Sequence, residues 1–333
     1  MYSLLRPLLF RLEPEIAHQL TLHALRVGGM EPVSSILRSI YFAQSKPVQA
    51  FGLTFKNPVG LAAGYDKDAV AIKGLSALGF GHVEVGTVTL KPQPGNPKPR
   101  VFRLLEDEAV INRMGFPSKG ADYVERRLLR SARNDIIIGV NLGKSKDTPL
   151  EEAVNDYIEL MRRFESYADY LTINISSPNT VGLRRLQGRE MLEELLGAID
   201  KERQTSKVKC PVLVKIAPDL NEEELDDAIG VVLDKGMDGV IATNTTLARD
   251  GLRSKYQDES GGLSGSPLAV KNEAVLNRVV KLVKGDFPII SAGGIMNSDD
   301  AKKRLALGAS LVQVYTGLIY RGPNLVREIV ESL

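Results

Sequence analysis

The chain has 333 residues, of which 43% are hydrophobic and 25% are charged, a composition typical of a folded globular protein rather than a disordered one. Its 43 Lys and Arg against 41 Asp and Glu give a formal net charge of +2, which argues against a general nucleic-acid-binding surface. Cys210 is the single cysteine, which excludes an internal disulfide, a cysteine-rich zinc site and an iron–sulfur cluster held by this chain alone. We therefore expect an enzyme-sized domain without a metal site, in a reducing compartment.

Residues 1–45 predict two short amphipathic helices ahead of the main domain. The first carries its apolar residues on one side, namely Leu4, Leu5, Leu8, Leu9 and Leu12. The second begins at Pro14, and its apolar stripe consists of Ile16, Leu20, Ala24 and Val27. We expect neither a membrane-spanning helix nor a signal peptide, because no uninterrupted apolar run approaches about 18 residues. From periodicity alone, the simplest interpretation is a helical pair that caps the bottom of the domain.

Residues 46–333 predict one α/β domain in which strands and helices alternate. The candidate strands are residues 58–64, 82–89, 136–143, 170–176, 212–217, 239–245, 288–293 and 310–316. The candidate helices include residues 68–78, 150–164, 190–201, 222–234, 270–284 and 299–307. Eight such units predict a closed (β/α)₈ TIM barrel. An open doubly wound sheet is the weaker alternative, because the fingerprint Gly-x-Gly-x-x-Gly does not follow the first strand.

An additional segment, residues 90–116, interrupts this alternation of strands and helices. Its proline-rich start precedes two short apolar runs on either side of the turn Glu106-Asp-Glu108. We expect a hairpin laid over the strand ends.

Polar residues follow nearly every predicted strand, where TIM barrels carry their active sites. Five of them are asparagines, whose amides suit the edge of a planar heterocycle: Asn112, Asn141, Asn174, Asn179 and Asn244. The pair Gly293-Gly294, with Asn297-Ser298 at a helix start and Gly317 after the last strand, is typical of the phosphate site of such barrels.

Three basic residues near the strand ends are candidates for binding anions or a cofactor. Lys215 lies inside an apolar strand, where an unpaired ammonium is costly, so it either meets an electron-rich cofactor or forms a salt bridge with Asp219 or Glu84. Lys67 and Arg113 supply positive charge of the kind that a carboxylate substrate requires, although either one alone is also compatible with solvated surface charge.

Four motifs, from about residue 51 onward, closely resemble those of the dihydroorotate dehydrogenase family: Gly52-Leu-Thr-Phe-Lys-Asn-Pro58, Asn112-Arg-Met-Gly-Phe116, Asn174-Ile-Ser-Ser-Pro-Asn179 and Thr243-Asn-Thr-Thr246. The resemblance implies an FMN site formed by Ala62, Ala63, Gly64, Tyr65, Asp66, Thr87, Asn141, Asn174, Lys215, Thr243, Gly265, Gly294, Tyr315 and Thr316. It implies contacts with dihydroorotate or orotate at Lys67, Asn112, Arg113, Met114, Gly115, Phe116, Asn174, Asn179, Asn244 and Thr245. Tyr65 departs from the family, which often has Leu there.

The resemblance also implies the chemistry, in which a base removes a proton from C5 of dihydroorotate while hydride passes from C6 to FMN. The base is serine in the quinone-reducing class, here Ser177, and cysteine in the soluble class. Cys210 precedes a different strand and cannot replace Ser177, whereas Thr180 and Phe116 match positions that shape its surroundings. We therefore expect a quinone-dependent (class 2) enzyme of de novo pyrimidine (UMP) biosynthesis.

In that class the helices of residues 1–45 form a hood through which a membrane quinone reaches the flavin, and His18 and Arg103 match positions along the tunnel. The resemblance thus predicts a bacterial protein attached peripherally to the cytoplasmic face of the cell membrane, without an iron–sulfur partner subunit. Two alternatives remain: an FMN barrel acting on another pyrimidine, and a non-catalytic barrel that binds phosphate or flavin.

Overall fold

A computed structural model describes residues 2–130 and 136–333. The strands of the described residues are β1 (Val48–Ala50), β2 (Leu53–Phe55), β3 (Val59–Leu61), β4 (His82–Val88), β5 (Val101–Leu104), β6 (Ala109–Asn112), β7 (Ile137–Leu142), β8 (Tyr170–Asn174), β9 (Val212–Ile216), β10 (Gly239–Ala242), β11 (Gly262–Gly265), β12 (Ile289–Ala292) and β13 (Leu311–Val314). The α-helices are α1 (Tyr2–Arg11), α2 (Pro14–Gly28), α3 (Val33–Ile40), α4 (Ile72–Ser76), α5 (Ala121–Arg130), α6 (Ala153–Phe164), α7 (Arg189–Ser206), α8 (Glu222–Asp234), α9 (Ala269–Val283), α10 (Ser298–Ala306), α11 (Thr316–Arg321) and α12 (Asn324–Ser332).

The predicted (β/α)₈ barrel is confirmed. Strands β3, β4, β7, β8, β9, β10, β12 and β13 close in that order, each parallel to its neighbours. They correspond to the eight predicted strands but end earlier, because the polar residues at each carboxyl end belong to the loops. Their residues are buried almost throughout, as expected for parallel strands enclosed by helices.

The first barrel helix, α4, is shorter than the predicted helix of residues 68–78. Asp66 is the cause, since its carboxylate accepts the backbone N–H groups of Val70 at 2.8 Å and Ala71 at 2.7 Å and holds a turn ahead of the helix. Ala69 in that turn has a φ of 55°, which a helix does not tolerate. The local hydrogen bonds of an aspartate therefore replace the first turn of the predicted helix.

A hairpin that the sequence analysis did not predict, β1–β2, closes the bottom of the barrel. Phe51 and Gly52 form its two-residue turn with φ values of 54° and 72°, as a type I′ turn requires. Phe55 packs with Tyr170, Leu213 and other buried residues at the amino ends of the strands. The bottom of the barrel is thus closed without the N-terminal helices.

The predicted hairpin of residues 90–116 is present as the antiparallel pair β5–β6. Strand β11, a later segment that was not predicted as a strand, adds to β6 and makes a three-stranded sheet. The sheet lies over the carboxyl ends of the barrel strands, because Asn112 and Gly265 at the ends of β6 and β11 line the same cavity as Lys215 and Gly294 of the barrel.

Three helices precede the barrel, where two were predicted. The additional helix, α3, has eight residues and follows Pro32. Helix α2 packs closely on α4, where a Cβ atom on Gly74 would lie 1.9 Å from the carbonyl oxygen of Leu25. Together with α1 it lies over the carboxyl ends of the strands, so the interpretation that these helices cap the bottom is wrong. Among the described residues, no helix is long and apolar enough to cross a membrane.

Candidate active site

A cavity of about 830 Å³ lies between the strand ends and helices α1 and α2. This volume is within the range of small-molecule and cofactor pockets. The barrel contributes the polar wall, which includes Thr87, Asn174, Ser177, Lys215 and Asn244. The helices contribute a mainly apolar wall that includes Leu5, Leu8, Leu9, Ala17, Leu20 and Ala24. One continuous space therefore joins a polar site to an apolar entrance.

The structure brings most of the predicted site residues to this cavity. The lining residues among them are His18, Ala62, Ala63, Gly64, Tyr65, Lys67, Thr87, Arg103, Asn112, Met114, Gly115, Phe116, Asn174, Ser177, Asn179, Lys215, Thr243, Asn244, Thr245, Gly265, Gly294, Tyr315 and Thr316. Three predicted residues, Asp66, Arg113 and Asn141, do not line it.

The side chain of Arg113, which was predicted as a substrate contact, points away from the cavity. Its guanidinium pairs with Glu259 at 2.6 Å and lies over the ring of Phe102, 4.6 Å from the ring centroid. The chain is extended here, so successive side chains point to opposite sides. Asn112 and Met114 consequently face the cavity while Arg113 faces away. Of the two cations predicted to meet a carboxylate, only Lys67 lies at the cavity.

Asp66 and Asn141, both predicted as cofactor contacts, do not line the cavity. The Asp66 carboxylate is fully buried and is used by the turn before α4, and burial raises its pKa. Asn141 is also fully buried and contacts Thr87 and Asn174, which line the cavity. Both residues hold neighbouring groups of the cavity wall in place, and their contact with the cofactor stays a prediction.

Glu84, which the sequence analysis considered only as a partner of Lys215, lies at the centre of a polar cluster inside the barrel. It is fully buried and accepts hydrogen bonds from Asn141 Nδ2 at 2.7 Å, Gln313 Nε2 at 2.9 Å and the Tyr170 hydroxyl at 3.1 Å. The sequence signal for such a cluster is an acidic residue within an apolar strand. Because a carboxylate only accepts hydrogen bonds, it determines which way the Asn141 amide points.

A chain of hydrogen bonds between amides and hydroxyls extends from Asn141 to the cavity wall and fixes the orientation of each side chain in turn. Asn141 Oδ1 accepts from Thr87 Oγ1 at 2.6 Å and from Asn174 Nδ2 at 2.9 Å. Asn174 Oδ1 in turn accepts from Ser176 Oγ at 2.9 Å, and Asn244 Nδ2 donates to Ser176 Oγ at 2.9 Å. The donors and acceptors at the cavity wall are therefore arranged before any ligand arrives.

Lys215 is 5% exposed, and its side chain reaches the cavity from the middle of β9. Within residues 2–130 and 136–333 it has no hydrogen bond and no ion pair, and Asp219 is instead bound by Arg184 and Lys271. The predicted alternative of a salt bridge with Asp219 is thus wrong. Desolvation lowers the pKa of Lys215, and the charge of Glu84 opposes that shift from a distance.

The glycine pair after β12 forms one end of the cavity. Gly294 has a φ of 75°, and a Cβ atom there would lie 2.4 Å from the Cα atom of Ala269. Only glycine leaves this backbone open to a ligand. Asn297 and Ser298 at the helix start do not line the cavity, and Asn297 and Asp300 form a capping box at the start of α10. Gly265 and Thr316 stand beside Gly294 on the wall.

Lys67 and His18 meet where the polar and apolar parts of the cavity join. Lys67 Nζ donates to the carbonyl oxygen of Gly64, and burial lowers the Lys67 pKa to about 8. Burial, and secondarily the charge of Lys67, lowers the pKa of His18 to about 3. The His18 ring stands edge-on to Tyr65, with 5.0 Å between centroids, and Tyr65 stands edge-on to Tyr315 at 5.8 Å. A neutral aromatic row thus leads from helix α2 to the polar wall.

Arg103 connects the three-stranded sheet to the end of α1. Its guanidinium donates to the carbonyl oxygen of Leu9 at 3.0 Å and to that of Leu12, and it lies 4.9 Å from the centroid of the Phe10 ring. These carbonyl groups lie at the C-terminal end of α1, where the helix dipole makes a cation favourable. Arg103 therefore lines the cavity and also holds α1 in place.

Ser177 follows β8 and is 5% exposed at the cavity wall. Its Oγ accepts a hydrogen bond from the backbone N–H of Asn179 at 3.3 Å, and Asn179 Nδ2 donates to the carbonyl oxygen of Asn112 at 3.0 Å. Phe116 lines the same cavity, whereas Thr180 does not. Cys210 lies away from it, with Sγ 3.5 Å from the carbonyl oxygen of Ala168.

Comparison with known proteins gives one consistent result. Residues 46–333 match the family model described as Dihydroorotate dehydrogenase. A dihydroorotate dehydrogenase (quinone) from Idiomarina loihiensis is 49% identical over 338 residues, covering 100% of both chains. One from Roseiflexus sp. is 47% identical, covering 100% of this chain and 93% of the relative. The crystal structure of DHODH from Eimeria tenella in complex with ferulenol has a TM-score of 0.87 at 42% identity, covering 96% of this chain and 90% of the other.

Proposed function

The chain is an oxidoreductase of the dihydroorotate dehydrogenase family, and from this premise we propose that it oxidises dihydroorotate to orotate in pyrimidine biosynthesis, with a quinone as the final electron acceptor. The observation that carries the proposal is one continuous cavity, in which Ser177 and Lys215 share a space with the apolar walls of α1 and α2. A polar substrate and a lipophilic acceptor each require one of these two environments.

FMN is the cofactor that we propose for the polar part of the cavity, and the residues fit it. Gly294 leaves the backbone open to a phosphate. Lys215 is a buried ammonium that has no ion pair among the described residues, and an electron-rich ring system would stabilise its charge. The remaining contacts would come from Ala62, Ala63, Gly64, Tyr65, Thr87, Asn174, Thr243, Gly265, Tyr315 and Thr316. When bound, FMN supplies the acceptor for the hydride.

The substrate side of the proposal assigns a role to each group of residues. Lys67 pairs with the carboxylate of dihydroorotate, and Asn112, Asn174, Asn179 and Asn244 hydrogen-bond the edge of its ring. Met114, Gly115, Phe116 and Thr245 complete the contacts. Ser177 takes the proton from C5, for which a serine hydroxyl needs a closed, water-poor site. Its near-complete burial supports this role.

We propose that residues 1–45 form the entrance for the quinone and attach the protein peripherally to the cytoplasmic face of the membrane. Leucines of α1 and α2 remain exposed, among them Leu4 at 79%, Leu8 at 60% and Leu20 at 51%. Exposed apolar residues on adjoining amphipathic helices suit the boundary of a lipid bilayer. His18 and Arg103 lie on the wall between this entrance and the polar site.

The decisive experiment follows the flavin absorbance of the purified, FMN-loaded protein without oxygen. Dihydroorotate is expected to bleach the flavin, and a ubiquinone analogue to restore it faster than fumarate or NAD. Tight binding of uracil but not orotate would favour the alternative of another pyrimidine substrate. Bound flavin that dihydroorotate cannot bleach would favour a non-catalytic barrel. Reduction by dihydroorotate without reoxidation by quinone would overturn the assignment of the acceptor.

A further inference from the structure

We propose that Arg184 is a positioning residue that holds the Ser177 loop, residues 175–188, in its catalytic arrangement. This inference deepens the proposed function and rests on it, because it assumes that Ser177 is the base. Arg184 does not line the cavity, and no role was assigned to it from the sequence.

The Arg184 guanidinium joins the loops that follow three successive barrel strands. Its Nε donates to the carbonyl oxygen of Ser176 at 2.9 Å, and its Nη2 donates to the carbonyl oxygen of Thr245 at 2.8 Å. Its Nη1 pairs with Asp219 Oδ2 at 2.8 Å. Ser176 immediately precedes Ser177, and Thr245 lines the cavity. One planar group thus sets the distance between the base and the opposite wall of the substrate site.

Asp219 is itself held firmly, so the guanidinium has a fixed support. Lys271 Nζ donates to Asp219 Oδ1 at 2.6 Å, as does Thr246 Oγ1 at 2.5 Å, and the backbone N–H of Leu247 donates to Oδ2 at 2.9 Å. Burial acts to raise the pKa of Asp219, but the hydrogen bonds of Lys271, Thr246 and Arg184 outweigh it and lower the pKa to about 2. Asp219 is therefore ionised near neutral pH and presents a carboxylate to the Arg184 guanidinium.

The Ser177 loop needs this support because its middle is exposed. Val181 is 96% exposed, whereas Leu183 and Leu186 are buried and the Gln187 side chain accepts the backbone N–H of Ala217 at 2.8 Å. The loop is thus anchored on both sides of Arg184, by Leu183, Leu186 and Gln187, but its exposed residue Val181 lies between this anchored part and Ser177. The hydrogen bond from Arg184 to the carbonyl oxygen of Ser176 connects the anchored part of the loop directly to the residue before Ser177. It therefore holds the base in place even though the residues between them are exposed.

A lysine cannot reproduce this arrangement, because its single ammonium lacks the planar fork that reaches two carbonyl groups and a carboxylate together. R184K keeps the positive charge beside Asp219 but loses the hydrogen bonds to the two carbonyl groups. Its effect therefore reports the positioning of the loop and not the loss of a charge. The matched control is R185A, since Arg185 is an exposed neighbour on the same turn and has no side-chain hydrogen bond or ion pair in the part of the chain that the structure describes.

The test uses stopped-flow measurements on FMN-loaded protein and follows the two half-reactions separately. In R184K, flavin reduction at saturating dihydroorotate is expected to fall by about 10²-fold, the effect of misplacing a catalytic group by about 1 Å. Reoxidation by a ubiquinone analogue and FMN retention are expected to stay within twofold of the unsubstituted protein. R185A is expected to be normal in both half-reactions.

Normal flavin reduction in R184K would overturn the proposal, as would an equal fall of both half-reactions with loss of FMN, which indicates a general structural role. The failure of the underlying function has a different signature, since the unsubstituted protein would then not be reduced by dihydroorotate at all. R184Q provides a second variant if R184K does not fold. We expect it also to slow flavin reduction by dihydroorotate and to leave reoxidation by quinone nearly normal.

Discussion

Asn141 donates its side-chain amide to the carboxylate of Glu84 at 2.7 Å, inside the barrel and below the cavity. Neither residue touches the cavity, yet the pair determines the orientation of Asn174 and, through Ser176, of Asn244. A carboxylate at the base of the chain removes the ambiguity that an asparagine has between its donor and acceptor ends.

The first prediction concerns Glu84. E84Q preserves the shape of the side chain but replaces one carboxylate oxygen by an amide NH2 group. The three donors Asn141, Tyr170 and Gln313 then share one acceptor oxygen, so at least one of these buried donors loses its partner. We expect the free energy of unfolding to fall by roughly 1–3 kcal/mol and orotate to bind more weakly. Urea unfolding and orotate titration measure the two effects. The control is T172V, because the buried Thr172 hydroxyl has no hydrogen bond among the described residues. Equal stability of the two variants would contradict the prediction.

The second prediction concerns Lys67 and pH. The pKa of this buried ammonium is lowered to about 8, so in the free protein its charge is present below pH 8 and is lost above it. Orotate affinity is therefore expected to fall as the pH rises through about 8. K67M should bind orotate weakly and without this dependence, whereas K91M, a change at an exposed lysine, should keep it. An affinity independent of pH between 7 and 9 in the unsubstituted protein would remove Lys67 from carboxylate binding.

The third prediction concerns the attachment of α2 to the barrel. Glu15 and Arg100 form an ion pair at 2.9 Å with side chains only 7% and 8% exposed. E15Q leaves the Arg100 charge buried without its partner, at a cost of about 3–5 kcal/mol. We expect quinone reduction to fall more than flavin reduction, because the helices form the entrance and not the base.

The control for that variant is E31Q, which breaks the Arg38–Glu31 pair of the same extension, where both side chains are 58% exposed. Solvent screens an exposed ion pair so that it contributes little to stability, and E31Q should be nearly normal. If E15Q lowered both half-reactions equally, residues 1–45 would have a purely structural role.

The fourth prediction concerns Ser177. S177A should retain FMN and bind orotate, while flavin reduction by dihydroorotate falls by about 10²–10⁴-fold, the usual contribution of a general base. Rapid-mixing absorbance measurements under anaerobic conditions give the rate of flavin reduction. S176A is an unsuitable control, because the Ser176 hydroxyl hydrogen-bonds to Asn174 and Asn244 of the cavity wall. T180A is suitable, since Thr180 does not line the cavity. Unchanged reduction in S177A would exclude Ser177 as the base.

The sequence predicted which segments become barrel strands and which residues gather at their carboxyl ends. Both properties are local, because buried parallel strands require apolar runs, and a parallel barrel brings all carboxyl ends to one side. Short elements were missed where a few residues carry the signal, as in the hairpin with the turn Phe51-Gly52. Helix α4 was predicted too long because the hydrogen bonds of Asp66 compete with its first turn.

Contacts between distant parts of the chain were decided only by the tertiary structure. The sequence by itself determined the barrel, the family motifs and the positions of Ser177 and Lys215 at strand ends. It did not determine that Arg113 turns away to Glu259, that the N-terminal helices lie over the top of the barrel, or that Arg184 reaches Asp219. Side-chain direction and pairing depend on which loops and helices meet in space, and residue type and periodicity along the chain do not specify those meetings.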